Sequence, residues 1–91
     1  MAVGFIIEVP GGTQEQYDQG MIELNVGAQP IDGLLSHTSG PIEGGWRVID
    51  VWESDEKFGV FGATRLGPAL KNVGMPEPKI TRFEVHNFIR G

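Results

Sequence analysis

Few residues in this 91-residue chain can do chemistry. His37 and His86 are its two imidazoles, the side chains whose charge changes near neutrality without help from their surroundings. Asp50 stands inside the apolar run Val48-Ile49-Asp50-Val51-Trp52. A carboxylate there costs free energy unless it is paired or used, and in an enclosed site it suits a general base or a hydrogen-bond donor. Trp46 and Trp52 bracket it and offer stacking surfaces for a planar ring. Strand alternation puts Trp46, Val48, Asp50 and Trp52 on one face and Arg47, Ile49, Val51 and Glu53 on the other. His37 joins the first set if a hairpin closes with four residues between Gly40 and Gly45, opposing His37 to Val48. A slip of one residue turns it to the other face. Each residue also has a structural reading. Trp52 packs across a dimer interface, Asp50 pairs with Arg82 rather than Arg47, and each histidine is solvated or hydrogen-bonded. No H-x-H or H-x-x-x-H spacing suggests a metal, and none is expected.

Composition narrows the classes around these residues. The chain has 12 acidic and 7 basic side chains, a formal charge of −5 and no cysteine. It therefore has no disulfide framework, thiolate metal site or thiol nucleophile. Without a basic cluster, nucleic acid is not an expected partner. No apolar run approaches the ~18 residues of a membrane span, and no signal-peptide layout is visible. The expectation is one cytoplasmic domain over residues 1–91. With 14 glycines and 6 prolines, such a small domain has a thin stability margin. A second copy of the chain is the expected staple.

The elements that must position these side chains can be read in order. Residues 3–9 form a β-rich strand closed by Pro10-Gly11-Gly12. Thr13 and Gln16 have capping-box spacing, and Tyr17, Met21 and Leu24 follow on one helical face. Tyr17 reads as a core residue, and Gly11-Gly12-Thr13 as a turn plus cap. Asn25-Val26-Gly27 ends the helix. Strands are expected over 34–39 and 46–53, joined as a hairpin. A second helix over 54–64, capped by Ser54, breaks before Pro68 and adds a turn to about residue 72. A last strand runs over 79–89.

This β-α-β-β-α-β order is the ferredoxin-like α+β plait, a four-stranded antiparallel sheet with two helices on one face. We expect Thr81, Phe83 and Val85 to face the helices. Ile80, Arg82, Glu84, His86 and Phe88 would then share the open face with Trp46, Asp50 and Trp52. That much exposed aromatic surface calls for a partner.

The segment Val48-Ile49-Asp50-Val51-Trp52-Glu53-Ser54, followed by Asp55-Glu56-Lys57-Phe58, resembles the third strand and second helix of the dimeric α+β barrel superfamily. The similarity is to its antibiotic biosynthesis monooxygenase-like domains. Gly40-Pro41-Ile42-Glu43-Gly44-Gly45-Trp46-Arg47 and Val85-His86-Asn87 resemble a bacterial subgroup of them. The resemblance implies a dimeric α+β barrel. Haem-degrading relatives use an Asn on the first strand, a Trp ending the third strand and a His on the second helix. Of these, only Trp52 is matched here. Cofactor-free oxygenases of the family act on electron-rich anthrone- or quinol-type polyketides and use a cavity-facing Trp, a position that Trp52 fits.

The expected function is that of a cofactor-independent enzyme on a planar phenolic or polyketide-like substrate, bound between the open sheet face and the helices or partner. His37, Asp50 and His86 are the candidate catalytic residues; Trp52, Trp46 and Arg82 are the candidate binding residues. For an oxygenase, proton loss yields an anion that reacts with O₂; a cyclase or isomerase would use the same base beside a carbonyl. The alternative is a non-catalytic dimer that binds a ligand or assembles.

Overall fold

The computed structural model describes residues 2–91. Strand β1 spans Val3–Pro10, helix α1 Gln14–Leu24, β2 Leu34–Ile42, β3 Gly45–Trp52, α2 Asp55–Phe61, α3 Gly67–Asn72 and β4 Lys79–Glu84. The capping box forms as the spacing requires. The Thr13 hydroxyl accepts the Gln16 N–H at 3.1 Å, and the Gln16 side-chain oxygen accepts the Thr13 N–H at 3.1 Å. Asn25 ends α1 in the left-handed region, at φ 49°.

The expected break before Pro68 does not occur. Gly62–Leu66 is a π-helical stretch that joins α2 to α3, and the Gly67 N–H reaches back to the Gly62 carbonyl. Pro68 then falls in the first turn of α3, where a missing N–H costs least. The Thr64 hydroxyl donates to the Val60 carbonyl, one turn back, at 2.7 Å.

The sheet order is β2-β3-β1-β4, all antiparallel. The hairpin is tighter than expected. Ile42 opposes Gly45, so its loop is Glu43-Gly44, with Gly44 at φ 75°. His37 therefore opposes Asp50 rather than Val48. Both registers differ by an even step, so His37 keeps the face it needs.

The face assignment is the main correction. Val3, Phe5, Ile7 and Val9 of β1 are buried with Leu24, Phe61 and Ala69 of the helices, so this face is the covered one. Trp46 opposes Val9, Asp50 opposes Phe5 and Trp52 opposes Val3. The two indoles and Asp50 thus face the helices, not the open side. By the same register Arg82 is on the helix side, while Phe83 and Thr81 are on the open side. Alternation alone gives parity without saying which parity meets the helices. The bulk of the β1 residues decides it: Val, Phe, Ile and Val on one side against Gly4, Ile6 and Glu8 on the other. Gly4 leaves room for the Phe83 ring, which lies across it and would have to shift if a Cβ were added there.

Strand β4 stops at Glu84, short of the expected Ile89. Arg82 ties it to the start of α2, donating to Asp55 at 2.7 and 2.8 Å. These hydrogen bonds hold the exposed Asp55 carboxyl below its ordinary value of 3.8. A lowered folded-state value adds stability above that pH, lost as the pH falls through it. The melting-temperature gap between the wild type and Asp55→Asn should therefore be widest near neutrality and close as the pH drops below about 4. A constant gap across that range would show that the pair contributes no charge-dependent stability.

Candidate active site between sheet and helices

The sheet and helices leave a cavity of about 210 Å³ on the covered face. Its wall is mostly aliphatic and aromatic, with Ile7, Met21, Leu34, Val48, Phe61 and Leu70 among the lining residues. Gln16, Tyr17, His37 and Asp50 bring the polar side chains, with the indoles of Trp46 and Trp52. No Lys or Arg lines it.

Tyr17, His37, Asp50 and Trp52 join into one chain of hydrogen bonds. The Asp50 side chain is 7% exposed, and its Oδ1 lies 2.6 Å from His37 Nδ1. Its Oδ2 accepts the Trp52 indole N–H at 3.2 Å. Both carboxylate oxygens of this buried group are thus partnered, which offsets the cost of its burial. His37 stands at the rim, its side chain 28% exposed. Its Nε2 lies 2.6 Å from the Tyr17 hydroxyl. With a neutral imidazole beside an ionised Asp50, which can only accept, Nδ1 carries the proton and Nε2 accepts the Tyr17 O–H. A carboxylate that fixes the tautomer and steadies an imidazolium is the arrangement a histidine general base needs.

Strand geometry explains the join. Asp50 and His37 are directly opposed across β2 and β3. Trp52 lies two residues beyond Asp50 on the same face. It is fully buried and packs on Phe58 and Phe61, with ring centroids 5.5 and 5.3 Å away. Its contribution to the site is to floor the cavity and hold Asp50. Trp46 is 7% exposed and lies 5.3 Å from the Tyr17 ring. Its indole N–H is the one buried side-chain polar atom without a partner among the described residues.

Two expected site residues lie elsewhere. Arg82 is committed to Asp55 and does not line the cavity. His86 follows the end of β4 and is exposed, away from the cavity. Tyr17 makes the opposite move, from expected core residue to direct partner of His37. The signal for it was its position with Met21 and Leu24 on the sheet-facing side of α1, where a lone hydroxyl among apolar side chains needs a partner. A further residue, Arg65, donates to the carbonyls of Leu24, Gln29 and Pro30 at 2.8, 2.5 and 2.9 Å. It fixes the loop whose Val26 and Ile31 close one side of the cavity.

Among the described residues no group of three His, Asp or Glu side chains could hold a metal ion, and no helix is long and apolar enough to cross a membrane.

No protein-family model matches the sequence, and no curated protein matches it. Solved structures do match across nearly its whole length. SnoaB from Streptomyces nogalater, a cofactor-independent oxygenase, superposes with a TM-score of 0.71 at 14% identity, over 99% of this chain and 98% of that one. A candidate antibiotic biosynthesis monooxygenase from Caulobacter crescentus gives 0.73 at 18% identity, over 94% and 91%. The chain shares the ferredoxin-like fold of antibiotic biosynthesis monooxygenase-like proteins. A dimeric ferredoxin-like protein of unknown function from Thermobifida fusca gives 0.67 at 15% identity, over 93% and 92%. The ferredoxin-like expectation therefore holds for topology. The covered-face location of the cavity corrects the expectation that it lies on the open side.

Proposed function

We propose that the chain is a small-molecule enzyme of the cofactor-independent type, acting on a neutral planar phenolic or polyketide-like substrate. One observation carries this reading: the hydrogen-bonded His37–Asp50 pair opens on an apolar cavity of about 210 Å³. The apolar wall suits a ring system, and the lack of a lining cation disfavours a carboxylate or phosphate ligand. Removal of a substrate O–H proton leaves an electron-rich anion, and transfer of an electron from that anion to O₂ begins oxygenation. The name of SnoaB as a cofactor-independent oxygenase supports the same chemistry on the same fold. Oxygen consumption measured against a panel of anthrones and quinols tests it. Uptake by the wild type, lost in His37→Ala, is the expected result; a folded protein inert towards the whole panel would sink the oxygenase. The same base could serve a cyclase or isomerase, which product analysis under nitrogen would reveal.

We also infer a homodimer formed through the open sheet face, and a cytoplasmic location in keeping with a cysteine-free composition. Ile49 and Phe83 are 39% and 42% exposed on that face, and half-buried Ile6 and Val51 lie beside them. Such an apolar sheet surface favours burial against a copy of itself. Sedimentation at micromolar concentration should give twice the 9.9 kDa chain mass, and Phe83→Lys should return it to the monomer. A wild type that sediments as a monomer excludes the dimer.

A further inference from the structure

We propose that Tyr17, not His37, is the residue that exchanges a proton with the ligand, and that the cavity thereby selects neutral aromatic compounds carrying a hydroxyl group. This rests on the reading of the cavity as a phenol-binding active site and identifies the group that meets the phenol.

The argument is an accounting of hydrogen-bond capacity. Every other lining polar group but one is already engaged. Asp50 has both oxygens taken, by His37 and Trp52. His37 has both ring nitrogens taken, by Asp50 and Tyr17. The Gln16 amide serves the α1 cap and donates to the Gly74 carbonyl at 3.1 Å. Tyr17 is different. Its one proton is given to His37, but a phenol oxygen also accepts, and no residue uses that capacity. The exception on the donor side is the Trp46 N–H, which is buried and unpartnered on the indole packed against Tyr17. The Asp50 oxygens keep spare lone pairs, but that side chain is only 7% exposed, so the accessible free acceptor is the half-buried Tyr17 oxygen. A ligand that enters without displacing the Tyr17–His37 hydrogen bond meets the phenol oxygen, not the imidazole.

The proton step balances without a co-reactant. The ligand O–H bond breaks as its proton joins the Tyr17 oxygen. The original Tyr17 O–H bond breaks as its proton joins His37 Nε2. The ligand is left as an oxyanion and His37 as an imidazolium beside the Asp50 carboxylate. Net charge in the cavity is unchanged, and the buried carboxylate stabilises the imidazolium.

The chain suits a direct test, because both of its tryptophans line the cavity and Tyr17 is its only tyrosine. The probe is 4-nitrophenol, at a pH where the free compound is mostly the neutral phenol. Quenching of tryptophan fluorescence reports binding, and the visible phenolate band reports proton transfer. In the wild type, binding should be accompanied by a gain in phenolate, whereas nitrobenzene should bind more weakly. Tyr17→Phe should still bind the probe but lower the bound phenolate about tenfold, equivalent to one unit of proton affinity. His37→Gln should lower it likewise. Binding with undiminished phenolate in Tyr17→Phe would overturn the role of Tyr17 and leave His37 as the direct base. Absence of quenching in the folded wild type would overturn the phenol-binding cavity, and this proposal with it.

Discussion

His37→Ala should reduce oxygen consumption on a converted anthrone or quinol by about 10²–10⁴-fold, the range a positioned general base contributes. Removing the imidazole takes away the acceptor of the Tyr17 proton and uncouples Tyr17 from Asp50. The loss should fall on kcat more than on KM, because the ring of the substrate still meets the same apolar wall. Asp50→Asn should lower the rate within the same range. An asparagine fills the same space, but it removes the charge that holds His37 in its tautomer and offsets an imidazolium. His86→Ala is the control, since His86 is exposed beyond β4 and does not line the cavity. Its rate should stay within about twofold of the wild type. Equal losses in all three variants would point to general destabilisation. Full activity in a folded His37→Ala would remove the base altogether.

The contrast between His37 and His86 shows what the residue pattern could convey. Alternation along β3 grouped Asp50, Trp46 and Trp52 correctly, because the strand's period of two is a geometric fact. Whether His37 joined them depended on hairpin register, and its side survived a register two residues from the one expected. His86 depended on the last strand continuing past Glu84, and it does not. The cover of each face was less legible. Strand β3 has apolar residues on both sides, Val48 and Trp52 against Ile49 and Val51, and it cannot by itself say which side meets the helices. That information sits in β1, whose Phe5 and Ile7 oppose Asp50 and Val48. Tyr17 was the least legible of all. Helical spacing gives the face of a side chain but not the identity of its partner, and His37 is 20 residues away in sequence.

The inverted face also changes what Trp52 must do for stability. On an open face it would have been covered by a partner. Here it is fully buried within one chain, between Phe58, Phe61 and the Asp50 carboxylate. Trp52→Ala should cost about 3–5 kcal/mol through the volume removed from a packed core. It also removes the donor to Asp50 Oδ2, which adds to the cost. A chain this size has roughly 5–14 kcal/mol of stability in all, so the variant should lose about a fifth of it or more. Denaturant midpoints at fixed protomer concentration would measure this, since self-association shifts the midpoint as well. Trp46→Ala is the informative comparison. Trp46 is buried to a similar degree, but its N–H has no partner and its ring borders the cavity. Its removal orphans no polar group and enlarges a void already present, so it should cost less than Trp52→Ala. If the order is reversed, the Trp52–Asp50 hydrogen bond is not what anchors the Asp50 carboxylate. His37 would then depend on its own strand pairing to hold Asp50 in line.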